Sequence, residues 1–213
     1  MEPTAVFDHL VVAAATLEQG EDYLEQRLGA RPQGGGKHRA MGTHNSLLKL
    51  GAQCYIEVIA IDPEAAAPRR PRWFALDAPA LQSSLRDGPR LIHWVARTTE
   101  IAAARRAFRF DPGAAQSMTR DAYQWWITIP PDGTLPAAGV LPSLIQWGGA
   151  RHPADALPDI GVRLLTLAGA HPEPALVRST LAALALSDTI RITYGALPRL
   201  AAMLQTPRGP VTL

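Results

Sequence analysis

Two stretches of this chain carry the same device, a short apolar run with a polar residue near its centre. Phe7-Asp8-His9-Leu10-Val11-Val12 is followed later by Tyr55-Ile56-Glu57-Val58-Ile59-Ala60. Leu91-Ile92-His93-Trp94-Val95-Ala96 is followed by Ser143-Leu144-Ile145-Gln146-Trp147. Runs this short and apolar read as strands. A polar group buried in one without a partner costs roughly 1–3 kcal/mol. Four such interruptions at matched places in two look-alike segments imply that the polar groups meet at a common point, on a divalent metal or a polar ligand in a cleft.

Periodicity divides the rest of the chain into three units. The first opens with a strand near residues 6–13. A helix follows from Leu17 to Gly29, with Leu17, Tyr23, Leu24 and Leu28 on one face and Gly29 as its left-handed stop. Arg31 to His38 reads as a Gly-rich loop, with a poorly marked strand around Lys37 to Met41. Asn45 to Leu50 and Cys54 to Ile61 read as strands around a Gly51-Ala52 turn. The order is β-α-β-β-β. A Pro-rich connector runs from Asp62 to Pro71, and Trp73 to Asp77 with Leu81 to Leu85 reads as a covering piece.

The second unit begins at Arg90, with a helix over 100–108 and strands over 123–129 and 143–147; Pro130-Pro131-Asp132-Gly133 is a turn. Arg151 to Pro158 is a linker. The third unit has a strand over 162–168, a helix led by Pro172 and Pro174 and reaching Leu186, and strands near 189–194, 199–205 and 210–213. It has the same element order but no His or Glu at the matching positions. The expected organisation is paired modules within 1–150 (1–62 and 90–150) and a third module over 159–213 without site residues. A β-α-β-β-β unit covers one sheet face with its helix, so pairing two units makes a larger curved sheet around a hollow. Units one and two are the expected pair, with one and three the alternative.

On a strand, residues i and i+2 share a face. His9 is therefore expected beside Phe7 and Val11, and Glu57 beside Tyr55 and Ile59. If the first and last strands of each unit are neighbours, His9 and Glu57, then His93 and Gln146, project into the hollow. Two imidazoles, a carboxylate and an amide oxygen suit zinc, nickel, iron(II), manganese or cobalt. Each of these strand histidines also has the plainer reading of a satisfied core group. His44 and Asn45, after Gly42-Thr43, are candidates for the cleft mouth and for substrate binding. Tyr123 and Trp125 share a strand face that can wall a pocket, with Trp126 on the other.

Composition narrows the function classes. The 213 residues are 47% hydrophobic and 19% charged, enough for a substantial core. Net charge is +2, and Lys37 and Lys49 are the only lysines; the scattered arginines give no support for nucleic-acid binding. No apolar run reaches the roughly 18 residues of a membrane span. The first residues do not read as a signal peptide, and Cys54 is alone. A cytoplasmic protein acting on a small molecule is the expectation.

The β-α-β-β-β repeats with His9, Glu57, His93 and Gln146 resemble the vicinal oxygen chelate superfamily, which includes the glyoxalase I and extradiol dioxygenase groups. More narrowly, Asp8-His9-Leu10-Val11-Val12, Leu28-Gly29-Ala30-Arg31-Pro32, Gly34-Gly35-Gly36-Lys37-His38, Gly42-Thr43-His44-Asn45 and Tyr55 to Pro63 resemble its glyoxalase-like domain branch. So do Leu144 to Gly148 and Thr206 to Pro210. The resemblance implies an α+β fold, repeated modules in a curved mixed sheet. It also implies a divalent ion held by His9, Glu57, His93 and Gln146. Gln146 departs from the carboxylate commoner there, which leaves Glu57 as the only carboxylate and the candidate catalytic base. Two functions follow. One is a metal-dependent lyase, isomerase or dioxygenase that polarises adjacent oxygens of a small substrate. The other is a non-catalytic binder of the kind found among drug-sequestering resistance proteins, in which these residues hydrogen-bond to each other or to an organic ligand. A degenerate interaction module is a third. The cup closes within one chain or through a second copy, as a homodimer.

Overall fold

The computed structural model describes residues 4–213. In chain order the first unit is β1 (Ala5–Ala13), α1 (Leu17–Leu28), β2 (Gln33–His38), β3 (Thr43–Gly51) and β4 (Cys54–Ile61). After α2 (Pro79–Leu85) comes the second: β5 (Arg90–Thr98), α3 (Ile101–Arg106), β6 (Ala114–Arg120), β7 (Tyr123–Ile129) and β8 (Ser143–Trp147). The third is β9 (Arg163–His171), α4 (Pro174–Ala183), β10 (Arg191–Tyr194), β11 (Arg199–Thr206) and β12 (Gly209–Thr212).

The first eight strands form one sheet in the order β2-β3-β4-β1-β5-β8-β7-β6. Each unit's first strand runs parallel to its last, β1 beside β4 and β5 beside β8, and β1 and β5 join the halves antiparallel. This is the curved mixed sheet of the α+β fold. The last four strands make a second sheet, β10-β9-β11-β12. Its pairing differs from that of the other two units, because β9 lies between β10 and β11 instead of at the end of its unit. Element order is repeated; sheet order is not.

Alternation along the strands sends two sets of apolar residues to two faces. On the outer face Leu10, Val12, Ile56, Val58, Trp94 and Leu144 join one core. α1 covers part of it. Thr16 caps the helix by accepting from the Gln19 amide, and Gly29, at φ 75°, ends it as the spacing predicts. Gly20 faces β4 so closely that a Cβ there would lie 2.3 Å from Val58 Cγ1. The second sheet covers the rest, with Leu167, Ala202 and Leu204 in the same core.

The inner face carries the other core. Val11, Ile59, Val95, Ile127 and Ile145 meet Trp73, Phe74, Leu76 and Leu85, so the segment joining the halves folds into the cup. Phe74 and Ala75 both take positive φ there, at 57° and 54°, a conformation disfavoured for a bulky side chain.

Two strands escape the sequence pattern. β2 lies in what reads as a Gly-rich loop: Gly34 and Gly35 adopt φ 64° and 89° at a register shift between Gln33 and Gly36. β6 is missed because Ala114 to Arg120 is half polar and short of β-branched residues.

Candidate functional site

The site begins with a bulge in β1. Phe7 pairs with Ala96 and His9 with Val95, which leaves Asp8 unpaired between them. The extra residue changes the alternation. Phe7 turns to the outer core, where it stacks on Trp94 with ring centroids 6.4 Å apart. It is therefore not the facial neighbour of His9 that strict alternation predicts. Asp8 instead comes round to the His9 side, and its Oδ1 lies 2.6 Å from His9 Nδ1.

Asp8 is fully buried and is the hub of a polar cluster. Its other oxygen accepts from Trp147 Nε1 at 3.0 Å, meets His152 Nε2 at 3.2 Å and lies 3.7 Å from an Arg97 nitrogen. Burial alone pushes its pKa up. The hydrogen bonds from His152 and His9 outweigh that and hold the carboxyl well below the usual carboxylate range.

Across the cup side His9 Nε2 faces Glu57 Oε2 at 3.7 Å. This is beyond hydrogen-bond length. Tyr55 stacks on the imidazole, centroids 4.5 Å apart and rings 13° from parallel. Glu57 Oε1 accepts from the Asn45 amide nitrogen. Asn45 Oδ1 in turn accepts from the Gly36 amide at 3.0 Å and from Arg120 Nη1 at 2.8 Å. A chain of polar contacts thus runs Asp8–His9, Glu57–Asn45–Arg120, with one gap between His9 and Glu57. That gap opens on a cavity of about 20 Å³, room for about one water or one small substrate group. His38, Trp73, Phe74, Trp125, Ile145 and Trp147 complete its walls.

His93 lies on the inner face beside Val11, its partner in the β1–β5 ladder. Its ring is already satisfied. Nε2 accepts the Ser143 amide hydrogen at 3.0 Å with the Ser143 hydroxyl at 3.0 Å, and Nδ1 is 3.4 Å from the Gly139 carbonyl. Gln146 is on the other face. Ile145 belongs to the inner core and Leu144 to the outer one, so the next residue points outward. Its Oε1 accepts from the Ile101 amide at the start of α3, 3.0 Å away. The register also tells which residue stands where a second carboxylate belongs. Val11 pairs with Glu57 in one half, and Val95 pairs with Ser143 in the other. Ser143 is the positional counterpart of Glu57.

His44 and Asn45 part in the same way. Neighbours on a strand face opposite sides, and only Asn45 reaches the cup. His44 borders a separate outer hollow with Thr16, Leu17 and Glu18. Sequence reasoning missed Asp8, Arg120 and His152 as members of the site. Asp8 was legible as a second polar residue next to His9, which strict alternation would strand outside. Arg120 and His152 carry no local signal, since one ends a strand the pattern does not mark and the other sits in a linker.

A divalent ion needs about four donors in a structural site, or three and a water in a catalytic one. Here His9 Nε2 and Glu57 Oε2 face one point, Gln146 is on the wrong face and the Nε2 of His93 is occupied by Ser143. Asn45 oxygen already serves a guanidinium. Among the described residues no three His, Cys, Asp or Glu side chains converge as a metal site. The donor set does not fit the four-residue centre.

Burial holds His38 and His93 neutral, each with its pKa pushed down to about 3, His38 further by the charge of Arg120. The unfolded imidazoles titrate near 6.5. Between the two values the unfolded chain binds more protons, so stability is complete above about pH 6.5 and falls as pH drops toward 3. The expected slope is about 1.4 kcal/mol per pH unit for each histidine. Denaturant titrations from pH 7.5 to 4 check this, and His93→Gln should remove about half of that slope. An unchanged slope in this variant defeats the assignment.

A family model described as "Glyoxalase-like domain" matches residues 7–185. No curated protein matches the chain. Among solved structures, a hypothetical protein from Staphylococcus aureus is 15% identical, with 91% of this chain and 87% of that one covered at a TM-score of 0.62. A methylmalonyl-CoA epimerase from Mycobacterium tuberculosis is 18% identical over 68% of this chain and 88% of its own, at a TM-score of 0.43. A Streptomyces coelicolor methylmalonyl-CoA epimerase variant in complex with 2-nitronate-propionyl-CoA is 14% identical over 70% and 99%, at 0.42. At these identities the likeness concerns fold. No helix among the described residues is long and apolar enough to cross a membrane. With residues 7–185 matched and the two halves joined β1 to β5 around a polar cup, the chain belongs to the glyoxalase-like domain family, a branch of the vicinal oxygen chelate superfamily.

Proposed function

We propose that the protein is an acid–base enzyme that moves a proton next to a carbonyl in a small organic substrate, an isomerase- or lyase-type activity carried by side chains. The observation behind this reading is the gap between His9 Nε2 and Glu57 Oε2, 3.7 Å wide, with each group held from behind. Asp8 accepts a hydrogen bond from the Nδ1–H of His9, which leaves the Nε2 lone pair toward the cavity. Asn45 holds one oxygen of Glu57 and leaves the other facing His9. A substrate carbon seated over the mouth of the gap lies within reach of both groups, one acting as base and the other, when protonated, as proton donor. Trp73, Phe74 and Trp147 wall the gap with apolar surface.

Superfamily members generally use a divalent metal, which would supply Lewis-acid polarisation of substrate oxygens. The donors of this cup do not assemble such a centre, so the acid–base step is assigned to His9 and Glu57. The test is solvent exchange. The protein is incubated in D2O with a panel of small 2-oxo acids and α-hydroxy ketones, and deuterium at the α carbon is followed by proton NMR. Exchange of at least one compound, unchanged after exhaustive chelation, is the expected result. Exchange that vanishes with chelator and returns with zinc or manganese restores the metal-dependent reading.

The second reading, a binder without chemistry, draws on the small cavity and on the connector that fills the cup. It predicts thermal stabilisation by a small organic molecule and exchange of none of the panel.

A further inference from the structure

Arg120 presents an anomaly that the acid–base pair does not explain. It is 8% exposed and reaches into the cup from the inner face of β6. A buried guanidinium is normally paired with a carboxylate. This one is absent from every ion pair among the described residues. Its partners are the neutral Asn45 oxygen at 2.8 Å and the His38 ring nitrogen at 3.4 Å. Its charge also lies 5.8 Å from the centre of the Tyr123 ring. Its Nε is buried with no hydrogen-bond partner. Gly36 on β2 allows the approach, since a Cβ there would lie 3.0 Å from Arg120 Cδ.

An uncompensated buried cation with a free donor, lining the cavity that holds the acid–base pair, is built to receive an anion. We propose that Arg120 is the oxyanion receptor of this site and selects substrates that present a carboxylate or enolate oxygen. It takes the electrostatic part that a cationic centre would play. The inference rests on the acid–base reading for the identity of the reacting molecule. The base, His9 or Glu57, takes a proton from carbon. The C–H electron pair forms the C=C bond of an enolate, and the carbonyl π pair moves onto oxygen. Arg120 donates hydrogen bonds to that oxygen. When the protonated partner returns a proton to carbon, the pair moves back. The step is redox-neutral and consumes no co-reactant. Asn45 is the positioning residue, because it accepts from Arg120 and donates to Glu57, fixing the cation at a set distance from the base.

Formate is the probe because it is the smallest carboxylate and the cavity is only about 20 Å³. Carbon-13 formate is titrated by NMR into the protein in excess EDTA. Wild type should bind it saturably. Arg120→Met should weaken binding about ten-fold or more, through loss of a charge-assisted hydrogen bond. Arg120→Lys keeps a charge but loses the fork geometry, and should also bind more weakly; it keeps the test open if Arg120→Met does not fold. Tyr194→Ser, at an exposed position in the second sheet, should bind formate as wild type does, and the binding is read without any reaction. Hence a failure of solvent exchange with every carbonyl compound would remove the acid–base reading and leave the formate result standing. No saturable binding by wild type, binding that requires a divalent ion, or unchanged affinity in either folded Arg120 variant overturns the proposal.

Discussion

Replacing His9 with Gln should lower α-carbon exchange by about 10²- to 10⁴-fold, the usual share of a positioned acid–base group. Glutamine keeps the size and a hydrogen-bonding end but cannot carry the proton. Asp8→Asn should produce a loss of the same kind for a different reason. The Nδ1 atom of His9 is 2.6 Å from Asp8 Oδ1, and an ionised carboxylate there enforces the tautomer that leaves Nε2 free. An amide can donate instead and stabilise the wrong tautomer. Denaturation midpoints taken in parallel separate chemistry from folding, which matters because Asp8 also holds Trp147 and His152. A His9→Gln protein that exchanges the same compound at the wild-type rate removes His9 from the mechanism.

The largest structural effect is expected at Trp94. The side chain is completely buried in the outer core, opposite Leu10 in the ladder that joins the two halves. Its Nε1–H donates to the Val140 carbonyl at 2.9 Å, and its ring stacks on Phe7. The neighbouring His93 meets the Gly139 carbonyl, so two adjacent residues of β5 pin the same loop from opposite faces of the sheet. That loop carries Ala137 and Ala138 at positive φ and needs such anchors. Trp94→Ala should cost about 3–5 kcal/mol, from lost burial, a residual cavity and an unpaired carbonyl. Trp94→Phe keeps most of the volume and should cost less. Urea denaturation monitored by far-ultraviolet circular dichroism measures both. Tyr194→Ser, at a side chain 73% exposed, is the control and should change little. A Trp94→Ala cost below about 1 kcal/mol contradicts the packing account.

How far the site was legible can be argued residue by residue. His9 and Glu57 announced themselves as polar groups inside apolar runs, and their strands lie side by side because each unit closes its first strand against its last. Asn45 stood out from its place after a turn. Gln146 misled, because its strand is short and apolar on both faces, so periodicity alone does not say which residue looks inward. The ladder decides it, and points to Ser143 as the match for Glu57. His44 misled for a simpler reason, since two adjacent residues in a regular stretch of strand cannot both line one cup. The bulge at Asp8 had a visible cue, two consecutive polar residues in an otherwise apolar strand, but its direction depends on the pairing with β5.

What the sequence determined by itself was most of the elements and their repeated order, because alternation, helical spacing and turn residues act over a few neighbouring positions. It also marked His9 and Glu57 by the cost of burying them alone. Only the tertiary structure decided the register of β1 against β5, the seating of Trp73 and Phe74 in the hollow, and the arrival of Arg120 from a strand at the far edge of the sheet. Those depend on contacts between residues far apart in the chain, and a local pattern contains no term for them. The character of the cup, a buried cation beside His9 and Glu57, was set at that level.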